Sequence, residues 1–206
     1  AYVTPGDRVA DIGCDHGYLG IHLIQSGICP ETIEADIRPG PLQAAIRNGE
    51  AYGLTHKIRF FLSDGVQSIP RDFDTLVCAG MGADVMVSIL SAAPWLQSTA
   101  YRLVLQCQSK APTLRRYLAD TGWHIRREQV LRDGRFFYTV MDCVWAPGHP
   151  LTPGQCYLSP ALLESGSELL PEYVNWVRDH LSLQVAHQEQ AAGSFEAAAL
   201  KELEAL

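Results

Sequence analysis

The stretch Val9-Ala10-Asp11-Ile12-Gly13-Cys14-Asp15-His16-Gly17 decides the fold. Its first four residues suit a buried strand, and Tyr18 to Ser26 has helical spacing. Between them lies a short turn carrying two glycines. A strand that turns on glycine straight into a helix is the first unit of a doubly wound α/β sheet. The turn falls at the carboxyl edge, where such sheets bind ligands.

Outward from that turn, β-rich apolar runs alternate with helical stretches as far as residue 145. Strands are predicted at Arg8–Ile12, Thr32–Ile37, Ile58–Leu62, Thr75–Ala79 and Arg102–Gln106. Helices are predicted at Tyr18–Ser26, Pro41–Tyr52, Asp84–Ala92 and Pro112–Thr121, with Gly27, Gly53 and Gly122 placed as C-caps. His124–Leu131 and Phe136–Val144 follow as two β-rich runs joined by Arg132-Asp133-Gly134-Arg135, and Asp-Gly in so short a link signals a hairpin. Strands with no helix between them pair antiparallel. The expected fold is a mostly parallel, seven-stranded α/β sheet closed by an antiparallel hairpin. Ala146-Pro147-Gly148-His149-Pro150 then breaks the pattern, dividing the chain into an α/β domain over 1–147 and a helical appendage over 148–206. In the appendage, Tyr173, Val177, Leu181, Leu183 and Val185 form an apolar stripe on Glu172–Gln190. Ala191-Ala192-Gly193-Ser194 is read as a bend into a last helix bearing Phe195, Leu200, Leu203 and Leu206, giving a coiled-coil-like hairpin.

The chemistry starts in the first turn. A dinucleotide site would carry G-x-G-x-x-G, with room for a diphosphate at the helix start. Here the spacing is G-x-x-x-G, with Asp15 inside the turn. A carboxylate there repels a diphosphate but attracts a ligand bearing an ammonium and a sulfonium. S-adenosylmethionine is such a ligand. Asp15 is also a residue type that caps helix N-termini. Asp36 ends the second strand, 23 residues after Gly13, where it can accept from both ribose hydroxyls or pair with Arg38. Ser63-Asp64-Gly65 makes a third polar turn, with Asp64 able to accept from the adenine amine or simply to form the turn. Ala79-Gly80-Met81-Gly82 bends the chain after the fourth strand. The predicted cofactor set is therefore Asp11, Gly13, Cys14, Gly17, Asp36, Ile37, Ser63, Asp64, Gly65, Ala79, Gly80 and Met81. The Asn/Asp-Pro-Pro-aromatic motif of exocyclic amino methyltransferases is absent.

Composition narrows the class. The 206 residues are 47% hydrophobic and 19% charged, ordinary for a globular protein. No apolar run approaches the roughly 20 residues that cross a bilayer. Ala1-Tyr2-Val3-Thr4-Pro5 has no leader character, so a cytoplasmic location is expected; the lack of an initiating Met suggests a missing upstream segment. Six cysteines without a Cys-x-x-Cys pair are expected to be reduced and buried. His180 and His187 stand a heptad apart, too far for one metal without other ligands, so no metal is expected. Net charge is −7, yet residues 1–150 hold 14 basic and 15 acidic residues, against 2 and 8 in 151–206. Within the first part, Lys110, Arg115, Arg116, Arg126, Arg127, Arg132 and Arg135 cluster in sequence, either as a phosphate-binding surface or as a solvated face.

Asp11-Ile12-Gly13-Cys14-Asp15-His16-Gly17-Tyr18-Leu19, Ala79-Gly80-Met81-Gly82, Leu105-Gln106 and Gly134-Arg135-Phe136-Phe137-Tyr138 together resemble the bacterial tRNA adenine(22)-N(1) methyltransferases. The similarity covers essentially the whole chain. Gly17 and Gly20 stand where that family commonly has Ala and Pro, and Cys107-Gln108 where it commonly has Pro-Asn. The resemblance implies a Rossmann-like fold and methyl transfer from S-adenosylmethionine to N1 of an adenine, position 22, in tRNA. Adenine N1 carries an in-plane lone pair, so it needs alignment with the methyl–sulfur bond more than it needs a base. It lies on the Watson–Crick edge, so the nucleotide must be unpaired or flipped. The product adenine is cationic, and Asp15 is the expected carboxylate beside it. Tyr18 is placed either to stack on the base or to pack on its own helix, and His16 either to touch the nucleotide or to hold the turn. The seven basic residues would meet tRNA, with the acidic appendage contributing by shape or by self-association. The rivals are a same-fold methyltransferase of a small molecule or protein, a non-catalytic S-adenosylmethionine-binding adaptor, and a nicotinamide-dependent oxidoreductase. The Gly13–Gly17 turn disfavours the last.

Overall fold

In the computed structural model, which describes residues 2–187 and 193–205, every residue of β1 (Val9–Ile12) and β2 (Thr32–Asp36) is buried. Strands covered on both faces require this, and it explains their near-continuous apolar sequence. The remaining strands are β3 (Ile58–Leu62), β4 (Thr75–Gly82), β5 (Arg102–Ser109), β6 (Trp123–Asp133) and β7 (Phe136–Trp145). They hydrogen-bond in the order β3-β2-β1-β4-β5-β7-β6. β1 runs parallel to both β2 and β4, and β6 runs antiparallel to β7, so the expected mixed sheet forms. The order reverses between β1 and β4, which is where open α/β sheets hold ligands. β4 runs three residues past its predicted end, through Gly80 and Gly82. The Gly80 N–H there donates to Gln106 Oε1 at 2.8 Å.

The chain forms two compact units, residues 1–81 with 85–106, and residues 82–84 with 107–206. In the first, α1 (Tyr18–Gln25) and α2 (Pro39–Ala51) cover the strands. Ile21, Ile24 and Ile58 make one core cluster, and Cys14, Leu42 and Ala45 another, with Phe60 packed on both. β4 leads into α3 (Ala83–Ser91).

The second unit contains α4 (Ala111–Asp120), the β6–β7 hairpin and four further helices. These are α5 (Pro153–Tyr157), α6 (Pro160–Leu163), α7 (Leu170–Ala186) and α8 (Phe195–Leu203). Thr152, Ser159 and Ser194 each cap a helix by accepting a backbone N–H three residues on. Val130 of β6 shares one core with Leu158, Leu162, Tyr173, Val177, Leu181, Ala199 and Leu203. The helices thus close over the hairpin, and the compact units divide at Gln106/Cys107, whereas the sequence reading divides the chain at 147/148. Of the expected apolar stripe, Tyr173, Val177 and Leu181 are buried at four-residue spacing. Leu183 is 59% exposed, because two residues turn it about 200° from Leu181 on a helix. Gln190, Ala191, Ala192 and Leu206, named in the sequence reading, lie outside the described residues.

Candidate functional site

The turn after β1 is tied to the end of β2. The N–H groups of Gly13 and Cys14 both donate to the Ala35 carbonyl, at 2.7 and 3.1 Å, and Gly17 N–H donates to Cys14 O at 2.7 Å. Gly13 has φ +76°, and a Cβ there would lie 2.2 Å from Met81 Cε. The Met81 side chain therefore reaches from the end of β4 onto the glycine of the first turn. Asp15 is a non-glycine residue in the left-handed region, φ 49°. It does not cap α1: Gly17 holds the N-cap position, without a side-chain bond.

Asp36 is 4% exposed. Its Oδ1 accepts the Arg38 N–H at 2.8 Å, and its Oδ2 lies 3.4 Å from the Asp15 N–H. The carboxylate thus joins the first and second turns, while the Arg38 guanidinium, largely exposed, approaches no closer than 3.8 Å. Beside it, Ile37 and Leu62 are 60% and 56% exposed. Leu62 is the register partner of Asp36 on β3. Two exposed aliphatic side chains next to a buried carboxylate suit an apolar ring attached to a diol. Sequence reasoning missed Leu62, since as the last residue of an apolar run it reads as core. Ser63 is buried and structural, donating to Gly65 O and accepting from Ser68 N–H. Asp64 is exposed.

Asp11 is turned to another use. It faces Glu34 across the β1–β2 register, and both side chains are buried. Desolvation lifts Asp11 to about 7 and Glu34 well above the ordinary range, each also raised by a neighbouring carboxylate. Burial thus holds both carboxyls toward their protonated forms. The space for Glu34 comes from Gly20, where a Cβ would sit 1.8 Å from Glu34 Oε1. Glu34 and Gly20 are thus one feature, which sequence reading had not linked. Cys14 is also buried, and desolvation raises its thiol, so it is no nucleophile. All six cysteines are buried and free.

The three residues expected at the target base stand together at the start of α1. Asp15 and His16 have more than half of their side chains exposed and lie 3.8 Å apart. Tyr18 is 58% exposed, with its ring stacked on His16 at 5.8 Å. Tyr18 is thus presented largely to solvent.

The basic cluster does not survive as drawn. Arg115 is fully buried, its guanidinium held by Glu128 at 2.7 Å and by the carbonyls of Cys156 and Tyr157 at 2.9 Å. It is a core ion pair and not a phosphate ligand. A β-bulge between Ile125 and Arg127 lets the consecutive Arg126 and Arg127 both reach buried Asp142. Lys110 pairs with Asp84, Arg116 with Asp120 and Arg132 with Glu172. Arg135 lies over Phe136 and has no carboxylate partner among the described residues. Neither a metal-binding cluster of His, Cys, Asp and Glu nor a helix long and apolar enough to cross a membrane occurs among the described residues.

Comparison with known proteins identifies the family of the chain. The family described as methyltransferase domain matches residues 1–141. A Mycoplasma pneumoniae protein described as a candidate tRNA methyltransferase is 32% identical over 174 residues, 80% of this chain and 78% of its own length. The Bacillus subtilis tRNA (adenine(22)-N(1))-methyltransferase is 30% identical over 141 residues, 68% of this chain. The chain spans about 60% of the length of two of the curated relatives it matches. A Streptococcus pneumoniae candidate tRNA (m1A22) methyltransferase, crystallised with S-adenosyl-L-methionine, superposes with TM-score 0.84 at 26% identity, covering 98% of this chain and 94% of that one.

Proposed function

Because the chain belongs to the methyltransferase-domain family, we propose that it transfers a methyl group from S-adenosylmethionine to N1 of an adenine in tRNA. The observation that carries this reading is the first turn, where a carboxylate stands in place of a diphosphate cradle and Asp36 lies buried against it. The cofactor supplies an electrophilic methyl on a sulfonium. The residues present fit that group. Asp36 keeps lone pairs beyond the N–H bonds it accepts and takes the ribose hydroxyls. Ile37 and Leu62 flank the adenine ring, and exposed Asp64 accepts from its amine. The backbone at Gly13, Cys14, Gly17, Ser63, Gly65, Ala79 and Gly80 shapes the crevice, Met81 borders it, and Asp11 acts through Glu34 on its floor.

Adenine N1 attacks with its own lone pair, so the protein's work is to align and to neutralise. Tyr18, exposed and stacked on His16, presents a face to the base, and Asp15 offsets the charge that develops on the ring. A tRNA substrate places the protein in the cytoplasm. Leu183, exposed on α7, offers the C-terminal helices a point for self-association, which sedimentation would read.

Incubation of unmodified tRNA with labelled S-adenosylmethionine, followed by nucleoside analysis, tests the reading. Formation of 1-methyladenosine is expected, and no transfer to any tRNA refutes it. The local pairing of most basic side chains favours, as second reading, a same-fold methyltransferase of a small molecule. That reading requires any tRNA affinity to be indifferent to salt.

A further inference from the structure

If tRNA is the substrate, something other than a bare cationic surface must grip it. Six of the seven clustered basic residues face carboxylates at 2.6–3.7 Å, Arg126 and Arg127 sharing Asp142, so most of their charge has a local counter-charge. The second unit supplies an alternative. A cavity of about 620 Å³ opens between β7, the start of α4 and one face of α7. That volume is in the range of small-molecule sites.

One wall of the cavity is aromatic. Tyr173 and Trp176 on α7 stack at 5.8 Å with planes 17° apart; Phe137 of β7 meets both, and the His180 ring sits 4.1 Å from Trp176. Trp176 is 38% exposed although it stands in the middle of this cluster. The rest of the lining mixes apolar side chains, Val177 and Leu181 among them, with polar ones. The Nδ1 atoms of His180 and His187 lie 2.8 and 2.6 Å from the carbonyls of Trp176 and Leu183. Each Nδ1 therefore carries the hydrogen, and in the neutral ring Nε2 is left as an acceptor. Gln184, between them on the same helix, adds an amide, and Lys110 stands at the α4 end of the cavity.

A flat aromatic wall with hydrogen-bonding groups at its margin matches the two faces of a nucleobase, its π surface and its polar edge. We propose that this cavity takes an unpaired nucleobase of the RNA, stacked on Trp176 with its edge read by Gln184 and the two histidines. The proposal rests on the tRNA reading above. It gives the acidic C-terminal helices a role that needs no phosphate contact, since stacking is indifferent to the sign of the surrounding charge. It also accounts for the Phe136-Phe137-Tyr138 run, of which Phe137 and Tyr138 both line the cavity.

The test is equilibrium binding of an unmodified tRNA transcript to the full chain, with S-adenosylmethionine affinity measured alongside. Trp176→Ala is expected to weaken tRNA binding about five- to hundredfold, the range for losing one stacked base, with cofactor affinity unchanged. Trp176→Phe keeps a ring and should lose less than about threefold. His180→Ala with Gln184→Ala changes exposed side chains only, so it tests the edge contacts without threatening the core. A loss of at least about threefold is expected there. If wild type binds tRNA but neither Trp176→Ala nor the His180/Gln184 variant moves the affinity beyond twofold, the cavity proposal falls and the tRNA reading stands. If wild type itself shows no tRNA affinity, the tRNA reading falls, and the cavity proposal with it.

Discussion

Replacing Arg115 by Met removes one half of a fully buried ion pair. Glu128 would keep only Ser159 Oγ, at 2.5 Å, of the groups that now satisfy it, and the Cys156 and Tyr157 carbonyls would each lose a donor. An uncompensated buried carboxylate costs about 3–5 kcal/mol. In a chain of this size, each kcal/mol shifts the melting temperature by about 2–4 °C, so a fall of about 6–20 °C is expected. Thermal melting by circular dichroism reads it directly. Arg115→Met with Glu128→Leu removes both charges and should melt above the single variant, because the stranded carboxylate is gone. A filter-binding titration of tRNA against salt serves as the control. A phosphate ligand would reduce the salt slope by about one on removal, whereas a core residue leaves it unchanged. An Arg115→Met protein that melts within about 2 °C of wild type, but binds tRNA with a shallower salt slope, would refute the structural assignment.

Three further outcomes are expected. Asp36→Ala should weaken S-adenosylmethionine by about 1–3 kcal/mol, the cost of an unmet hydrogen-bond partner, and calorimetry giving wild-type affinity would remove the ribose assignment. Asp15→Ala should lower turnover far more than cofactor affinity, since its exposed carboxylate is assigned to the target base; wild-type turnover would exclude it from the reaction. Burial raises the Asp11–Glu34 pair above the unfolded value near 4, so it keeps protonation that the unfolded chain loses earlier. Its contribution is therefore present at low pH and lost as pH rises from about 4 through about 7. Melting temperatures across that window should flatten in Glu34→Gln relative to wild type, and parallel curves would show that the pair keeps no such protonation.

How much of this the sequence disclosed follows from where each signal resides. The sheet and its hairpin were legible because local pattern carries them: buried strands read as apolar runs, and Asp-Gly marks the β6–β7 link. The first turn was legible because glycine and acid spacing are chemistry in themselves. Arg115 was not, because a helix's inward face is fixed by what packs on it, and its partners Glu128, Cys156 and Tyr157 come from other elements. The pairing of Arg126 and Arg127 on one aspartate needed a bulge that no spacing announces. Leu62 looks like a core residue in a string, and only the sheet edge exposes it. Glu34 carries no local signal of its burial, because the room for it comes from Gly20 on α1.

That last pairing bears on the charge of the crevice. Four carboxyl groups, Asp11, Asp15, Glu34 and Asp36, lie in or behind the first two turns. Four full charges at that spacing would repel one another too strongly to fold, since burial weakens screening. The structure divides them. Asp11 and Glu34 sink into the core, where burial raises both and favours their protonated forms. Asp36 is held by backbone N–H groups, and Asp15 stands out in solvent. What faces the ligand is then two carboxyl groups, one buried at the position assigned to the ribose and one exposed at the mouth. A cationic nucleoside is favoured by both, and a diphosphate is opposed by both. Replacing the buried Asp11 carboxyl, as in Asp11→Asn with Glu34 intact, should leave that preference in place. Removing Asp36 and Asp15 together should abolish the discrimination between S-adenosylmethionine and its uncharged-sulfur product, measured as the ratio of their dissociation constants. A ratio unchanged in that double variant would mean that the turn's acidity does not select the ligand.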